Sequence, residues 1–458
     1  MRQKTEMEIT LQVGATGEAR STDLEGTETR TANVEIESQA AVGPSMEVIV
    51  ERDNLRKALA QVKRNKGAAG IDDMSLDALA PYLKEHWPTI RVQLLDGSYK
   101  PQPVRRVEIP KASGGTRPLG IPTVLDRFIQ QAVLQVLQVE WDPTFSECSF
   151  GFRPKRSAHQ AVARAQEFIA AGHGIVVDID LEKFFDRVNH DILMGLVTKR
   201  VADKRILKLI RGFLTAGVLT DGLVSATEEG TPQGGPLSPL LSNLMLDVLD
   251  KELERRGLNF VRYADDCNIY VRSQRAGERV AAGIETFLSK RLKLGVNKAK
   301  SAVDRPAKRK FLGFSFMNGP QPRRRIAPQS LARFRSRVRD LTRRTRGKSL
   351  AQIVRELSVY LIGWRGYFGF CETPSVLREL DQWIRRRLRA VVWKQWKRGT
   401  NRYAELRRCG VGRDQAAQAA GSPCGPWRLS ASPALCIALS NASLTSLGLA
   451  TVVVPKQA

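Results

Sequence analysis

The stretch at residues 260–271 (FVRYADDCNIYV) restricts the possible fold more than any other part of the chain. Two apolar runs rich in β-branched and aromatic residues flank two adjacent carboxylates. This pattern predicts a β-hairpin whose tight turn carries Ala264, Asp265 and Asp266. Because Asp hydrogen-bonds its own backbone in turns, a plain turn explains this stretch taken alone. A turn can also hold a carboxylate beyond the edge of a sheet, where it can bind a hard divalent cation.

A second acidic strand end lies earlier in the chain. Residues 175–180 (IVVDID) predict a strongly apolar strand that ends in acids. Since side chains alternate along a strand, Asp178 and Asp180 are expected on the same face of the sheet. Such a strand suits a metal site, although a strand end followed by a helix-capping Asp gives the same pattern.

Two glycine-bearing stretches are candidates for ligand contact. Residues 105–111 and 116–122 predict a basic hairpin with a turn at 112–115, in which Arg105, Lys111 and Arg117 can bind phosphates. A solvated charged hairpin is the alternative. Residues 229–239 (EGTPQGGPLSP) form a loop that lets the backbone approach a ligand and places Gln233 near the start of an apolar helix.

The overall charge indicates a polyanionic partner. The 458 residues carry a formal net charge of +26, which points to nucleic acid or an anionic membrane. No apolar run approaches the roughly 18–20 residues of a membrane helix, and no signal peptide is evident. We therefore expect nucleic acid as the partner, no membrane partner, and a cytoplasmic, nucleoid-associated protein.

The positive charge is concentrated at residues 321–400. This segment has 21 Lys and Arg against five Asp and Glu, a net charge of +16, with apolar residues at helical intervals and interleaved aromatic residues. A solvated face on a helical bundle does not easily explain so few counter-charges, whereas a helical nucleic-acid clamp does.

Cysteine and histidine usage excludes some metal modules. The six cysteines are scattered without a Cys-x-x-Cys pair, which argues against a zinc module and a disulfide framework. The four histidines all lie in the first half of the chain, so a C-terminal histidine-cysteine nuclease is excluded. Residues 1–45 carry eight acidic and four basic residues with few aromatics, which predicts a disordered leader.

Taken in order, these motifs resemble the reverse transcriptase family, most closely the reverse transcriptase–maturases of bacterial group II introns. The resemblance runs from about residue 54 to 449. The matching motifs are 120–123 (GIPT) with Asp126-Arg127, 150–154 (FGFRP), Asp180 with 184–186 (FFD), 231–234 (TPQG), 263–266 (YADD), 311–314 (FLGF), and the pairs Gly363-Trp364 and Tyr367-Phe368. Residues 178–185 and the missing nuclease look most like the compact class C lineage.

The resemblance implies an α+β fold. It would be a right-hand polymerase with reverse transcriptase fingers and palm, followed by an α-helical thumb or X domain and a small C-terminal DNA-binding region. The implied boundaries are a leader at 1–45, an N-terminal extension and the start of the fingers at 46–104, fingers and palm at 105–320, the thumb at 321–400 and the C-terminal region at 401–458.

The resemblance also implies a two-metal active site. Asp180, Asp265 and Asp266 are the implied catalytic ligands of two Mg²⁺ ions, with Mn²⁺ as a substitute. Asp266 is the less direct ligand, and Asp178 has a supporting or structural role.

Further site residues follow from the same family pattern. The resemblance implies that the triphosphate of the incoming nucleotide is held by Lys111, Arg117 and Arg105. It implies that Phe185 is the steric gate against a 2′-hydroxyl, that Gln233 contacts the nucleotide and that Lys300 aids pyrophosphate departure. The implied primer grip consists of Phe311, Leu312 and Gly313.

The implied activity is RNA-directed DNA synthesis combined with binding of group II intron RNA and assistance to its splicing and mobility. The implied partners are that intron RNA, an RNA template with a DNA primer, target DNA and dNTPs. Two alternatives stay open: a host-recruited reverse transcriptase in DNA repair or phage defence, and a splicing-only RNA-binding maturase. The sequence does not indicate the oligomeric state.

Overall fold

The computed structural model describes residues 43–110, 115–220, 223–225, 227–231, 234–319 and 321–454, without the side chains of Arg117 and Thr220. Lys111, Gln233 and nearly all of the predicted leader lie outside the described residues. The described residues form one compact unit.

Strands and helices alternate in the first two thirds of the described chain, and helices fill the rest. The strands are β1 Val104–Pro110, β2 Thr116–Ile121, β3 Ile175–Asp180, β4 Val218–Thr220, β5 Leu223–Ser225, β6 Asn259–Tyr263, β7 Asp266–Val271, β8 Ala302–Asp304, β9 Phe314–Phe316 and β10 Arg324–Ile326. The helices are α1 Met46–Ile49, α2 Arg52–Arg64, α3 Leu79–Asp96, α4 Val124–Trp141, α5 Ala158–Ala170, α6 His190–Val197, α7 Lys204–Thr215, α8 Ser238–Arg255, α9 Gln274–Phe287, α10 Pro328–Leu341, α11 Leu350–Phe368, α12 Pro374–Gln395, α13 Gly399–Arg408, α14 Arg413–Ala420, α15 Pro426–Leu429, α16 Pro433–Ala438 and α17 Asn441–Ser446. Both element types occur, as the predicted α+β class requires.

A four-stranded antiparallel sheet, here called the central sheet, has the order β6-β7-β3-β8 and joins the two acidic stretches of the sequence. In its register Asp180 lies opposite Asp266, and Asp178 lies opposite Asn268. The side chains of Ile179 and Ile269 enter the large hydrophobic core that also contains residues of α8. Because strand residues alternate between faces, the acids of β3 and β7 lie on the opposite face.

The predicted basic hairpin is confirmed. Strands β1 and β2 pair antiparallel, from Arg105 opposite Ile121 to Pro110 opposite Thr116. Strand β1 also pairs parallel with β4, which gives a second sheet in the order β2-β1-β4-β5.

Helices α10, α11 and α12, here called the thumb helices, surround a separate hydrophobic core. Phe334 of α10 packs against Trp364 of α11 with ring centroids 4.2 Å apart. The chain end returns to this core, since Leu449 and Val452 are buried in it. The helical character predicted for residues 321–400 is thus confirmed. No described helix is both long and apolar enough to cross a lipid bilayer.

Two short segments interrupt regular elements. Helices α1 and α2 are separate, because Glu51 is extended (ψ 141°) between them. Strand β9 starts only at Phe314, because Leu312 and Gly313 have φ values of 49° and 85° and form a turn. One local prediction differs from the structure. Asp266, expected in the hairpin turn, is the first residue of β7.

Candidate functional site

Two carboxylates from separate elements face one cavity of about 610 Å³. Asp180 ends β3, and Asp265 lies in the turn between β6 and β7. The remaining lining residues are Arg106, Thr116, Pro118, Leu181, Glu182, Lys183, Phe184, Phe185, Asp186, Asn297 and Lys300. A strand end and a hairpin turn thus border one cavity, and the role of Asp180 and Asp265 as metal ligands stays a prediction.

Backbone hydrogen bonds hold Asp180 in place. Its amide donates to Ser301 Oγ at 2.9 Å, and its carbonyl accepts from the Asn297 amide at 2.8 Å. Since both backbone groups are bonded, the position of the carboxylate at the cavity is fixed by the segment at residues 297–301 as well as by the sheet.

Lys300 and Arg309 bring positive charge to the acids of β3. Lys300 Nζ donates to Asp180 Oδ2 at 3.2 Å. Arg309 donates to Asp178 Oδ2 from Nε at 2.9 Å and from Nη2 at 2.6 Å, and also to the Lys300 carbonyl at 2.5 Å. Asp178 therefore holds the arginine that supports the Lys300 backbone, a role that the sequence did not reveal. Arg309 was missed, because nothing in the local sequence links it to a partner 131 residues away.

Asp266 differs from the other two predicted metal ligands. Burial raises its pKa to about 8, and the charges of Asp178, Asp265 and Asp180 act in the same direction. It is not among the residues that line the cavity. Within the described part of the chain, no three His, Cys, Asp or Glu side chains are grouped as a metal site. The structure thus brings Asp180 and Asp265 to the cavity and leaves Asp266 beside it.

The loop at residues 229–231 positions Phe185, which is 9% exposed and borders the cavity. Thr231 donates its amide to the Phe185 carbonyl at 2.7 Å, and Gly230 donates to the Val188 carbonyl at 2.7 Å. Gly230 has φ 93°, and a Cβ there would lie 2.9 Å from the Phe185 carbonyl oxygen. Only glycine therefore allows this loop to lie so close to Phe185.

The basic hairpin presents Arg106 rather than Arg105 to the cavity. Arg105 forms an ion pair with Asp73 at 2.9 Å and is not among the lining residues, whereas Arg106 is one of them. Because neighbouring residues of a strand point to opposite faces, the sequence could have indicated that Arg105 and Arg106 do not face the same side of the hairpin. Lys111, Gln233 and the side chain of Arg117 lie outside the described residues.

The predicted primer-grip residues lie at the junction of the central sheet and the thumb helices. Phe311 is 3% exposed and packs in a hydrophobic cluster with Phe314. The Leu312 carbonyl accepts from the Tyr367 hydroxyl at 2.8 Å. The Gly313 carbonyl accepts from the Ala327 amide and from Ser330 Oγ, both at 3.0 Å. None of the three residues borders the cavity that contains Asp180.

Two parts of the chain match known protein families. Residues 109–316 match the family described as "Reverse transcriptase (RNA-dependent DNA polymerase)". Residues 331–410 match the "Group II intron, maturase-specific domain". The chain therefore combines a reverse transcriptase domain with a group II intron maturase domain. The reverse transcriptase domain contains Asp180, Asp265 and Lys300, and the maturase domain begins within α10. The predicted family resemblance is confirmed, and the class C assignment stays a prediction.

Individual relatives are similar to parts of this chain. "Protein YkfC" of Escherichia coli K12 is 38% identical over 232 residues, which cover 48% of this chain and 61% of that protein. "Group II intron-encoded protein LtrA" of Lactococcus lactis is 42% identical over 202 residues, which cover 43% of this chain and 33% of that protein. A solved structure titled "Partial Cas6-RT-Cas1--Cas2 complex" has a TM-score of 0.35 at 24% identity and covers 54% of this chain and 42% of that chain. The chain thus spans about three fifths and one third of the length of the two curated relatives.

The close approach of the 229–231 loop can be tested by two glycine substitutions. Gly172 has φ 90°, nearly that of Gly230, but a Cβ there meets nothing within 4 Å. Gly172→Ala should lower the free energy of unfolding by about 1–2 kcal/mol, because a Cβ at this φ crowds its own backbone. Gly230→Ala should lower it by roughly a further 1–3 kcal/mol, because the methyl group must displace Phe185. Urea-induced unfolding measures both, and equal losses would contradict the close contact.

Proposed function

We propose that this chain is an RNA-directed DNA polymerase, which extends a DNA primer on an RNA template at the cavity between Asp180 and Asp265. The observation that carries the proposal is the convergence of these two carboxylates on one cavity, with Lys300 Nζ 3.2 Å from Asp180. The match of residues 109–316 to the reverse transcriptase family supports the same reaction.

The donor set fits Mg²⁺. This cation prefers oxygen ligands and is held in such enzymes by one or two carboxylates together with substrate phosphates, so Asp180 and Asp265 suffice without an all-protein cage. Asp266, beside the cavity, completes the family motif and acts indirectly. Asp180 and Asp265 would hold Mg²⁺, which would supply Lewis-acid activation of the 3′-hydroxyl and neutralise charge on the leaving pyrophosphate.

The other residues of the cavity bind and orient the nucleotide. Arg106 and Lys300 border the cavity and supply positive charge for the triphosphate and the departing pyrophosphate. By the family pattern, Lys111, Arg117 and Gln233 also contact the nucleotide, and Arg105 does so after leaving Asp73. Phe185, whose carbonyl accepts a hydrogen bond from the Thr231 amide, forms the wall that excludes a ribose 2′-hydroxyl.

We further propose that the thumb helices bind group II intron RNA and assist its splicing. The five acidic residues of the segment at 321–400 cannot neutralise its 21 cations, and three of those acids pair with arginines: Glu356 with Arg346, Glu372 with Arg324, and Asp381 with Arg385. The excess positive charge suits an RNA backbone. The match to the maturase-specific domain favours intron RNA over other RNA.

Primer extension tests the polymerase assignment. With a DNA primer on an RNA template and Mg²⁺, wild-type protein should extend the primer. Asp265→Ala should reduce the rate by about 10²–10³-fold or more, because the site loses a charged group that it needs in the transition state. Asp191→Ala, at an exposed aspartate paired with Arg211, is the matched control and should retain the rate. Normal synthesis by Asp265→Ala would refute the assignment.

Nucleotide selectivity tests the role of Phe185. Phe185→Ala should reduce discrimination against ribonucleotides by roughly 10–100-fold, because the wall beneath the sugar is lost. Phe185→Tyr keeps an aromatic wall and should retain the selectivity. The ratio of kcat/KM for a dNTP and the matching ribonucleotide is the measurement, and an unchanged ratio in Phe185→Ala would place the gate at another residue.

RNA binding over a range of salt concentrations tests the maturase assignment. The full chain should bind its intron RNA more tightly than an unrelated structured RNA at every matched salt concentration. Arg333 and Arg337 lie one turn apart on α10, and replacing both with Ala should reduce the slope of log K against log salt by about two. Arg255→Ala, on exposed α8 surface outside the maturase domain, is the control. Equal affinity for both RNAs would indicate electrostatic binding alone.

A further inference from the structure

Arg262 is a fully buried arginine three residues before Asp265, with 0% of its side chain exposed. Its guanidinium donates from Nε to Asp250 Oδ1 at 2.7 Å and from Nη2 to Asp250 Oδ2 at 2.5 Å. It also donates to Asn243 Oδ1 at 3.1 Å, to Ser149 Oγ at 2.8 Å and to the carbonyl of Ala264 at 2.9 Å. A guanidinium has five N–H donors in a fixed plane, so each donor has an acceptor here.

The acceptors come from three separate parts of the chain. Asp250 and Asn243 belong to α8, Ser149 lies in the segment before α5, and Ala264 lies in the hairpin turn itself. The backbone of Arg262 is held as well, since its amide donates to the Cys148 carbonyl and its carbonyl accepts from the Phe150 amide, both at 2.9 Å. The turn is thus connected through Arg262 to a helix and to a loop.

The turn needs this support because Ala264 has a left-handed backbone, with φ 58°. This conformation is unfavourable for a residue with a Cβ and persists only where the surroundings fix it. Gly151 lies directly against the turn, where a Cβ would be 2.2 Å from the Ala264 amide nitrogen. Asn243 Nδ2 fixes this loop by donating to the Gly151 carbonyl at 2.9 Å. The Ala264 conformation sets the direction in which the next residue, Asp265, leaves the turn.

We propose that Arg262, held by Asp250, is a positioning residue that fixes Asp265 at the cavity through its hydrogen bond to the Ala264 carbonyl. The inference rests on the proposed polymerase function, in which Asp265 binds the metal ion. A purely structural role for the ion pair is the alternative, since buried ion pairs are often replaceable by apolar residues of similar size.

A double variant separates the two roles. Arg262→Met alone leaves the Asp250 charge buried without its partner and should destabilise the protein. Arg262→Met combined with Asp250→Leu removes both charges and should return the unfolding temperature close to that of the wild type. The Ala264 carbonyl still lacks its donor in this protein, so Asp265 stays misplaced although stability is restored.

Two measurements on the full chain report the position of Asp265. One is Mn²⁺ binding, measured by electron paramagnetic resonance in a complex with an RNA template and a non-extendable DNA primer. Only the Mn²⁺ binding that is lost in Asp265→Ala is assigned to the site. The other is the separation of kcat from KM for the dNTP. The double variant should lose about 10–100-fold in Mn²⁺ affinity or in kcat, with little change in KM.

The pair Arg205–Asp203 is the control. Arg205 lies in the same domain and donates to Asp203, at 3.0 Å from Nε and at 2.7 Å from Nη2. Its other acceptors are Glu47 and the Leu95 carbonyl, so its acceptors lie outside the hairpin and outside the loop that supports it. Arg205→Met with Asp203→Leu should therefore retain Mn²⁺ affinity and kcat.

The outcomes are distinct. Wild-type Mn²⁺ affinity and kcat in the stable double variant would overturn the proposal for Arg262, whereas absence of primer extension by wild-type protein would overturn the polymerase function itself. If the double variant does not fold, Arg262→Lys tests the proposal instead. Lysine keeps the charge beside Asp250 but cannot bond all five acceptor atoms. Reduced kcat in folded Arg262→Lys supports positioning, and wild-type kcat refutes it.

Discussion

The antiparallel pairing of β3 with β7 determines where the chemistry of this protein can take place. Six residue pairs, from Ile175 opposite Val271 to Asp180 opposite Asp266, join segments that lie almost a hundred residues apart in the chain. Because strand side chains alternate, a shift of one residue in β3 would turn Asp180 into the hydrophobic core and Ile179 toward the cavity. The apolar residues that face the core therefore specify the register and, with it, the position of the acids.

Three acids, Asp180, Asp178 and Asp250, each have a cation at hydrogen-bonding distance, and each pair has a different geometry. Lys300 approaches Asp180 from the cavity side, with its side chain 68% exposed and thus accessible to a ligand. Arg309 and Arg262 bond Asp178 and Asp250 in more enclosed positions. Pairs of this kind contribute little net stability, because removing charges from water is costly. Their effect is to fix backbone positions, since Arg309 also bonds the Lys300 carbonyl and Arg262 bonds the Ala264 carbonyl.

The features that could be predicted from sequence are those encoded locally. Hairpin turns and apolar strands depend on neighbouring residues, so the basic hairpin, β3 and the location of Asp265 in a turn followed from short patterns. The Arg309–Asp178 pair depends on a contact between residues 131 positions apart, which no local pattern encodes. The stretch at residues 311–314 resembles a strand in composition, but Gly313 at φ 85° bends it into a turn. The choice of Arg105 over Arg106 followed the family pattern, whereas the face of a strand on which a residue lies depends on its register.

The turn at Leu312 and Gly313 has a mechanical consequence. Its two carbonyls are bonded to Tyr367 of α11 and to Ala327 and Ser330 at the start of α10. Gln166 of α5 is linked in turn to Arg324, which precedes α10, and to Glu372, which lies between α11 and α12. Swinging the thumb away from the central sheet would break all of these bonds together. The spacing between the central sheet and the thumb helices is therefore set by this turn and its hydrogen bonds rather than by a free hinge.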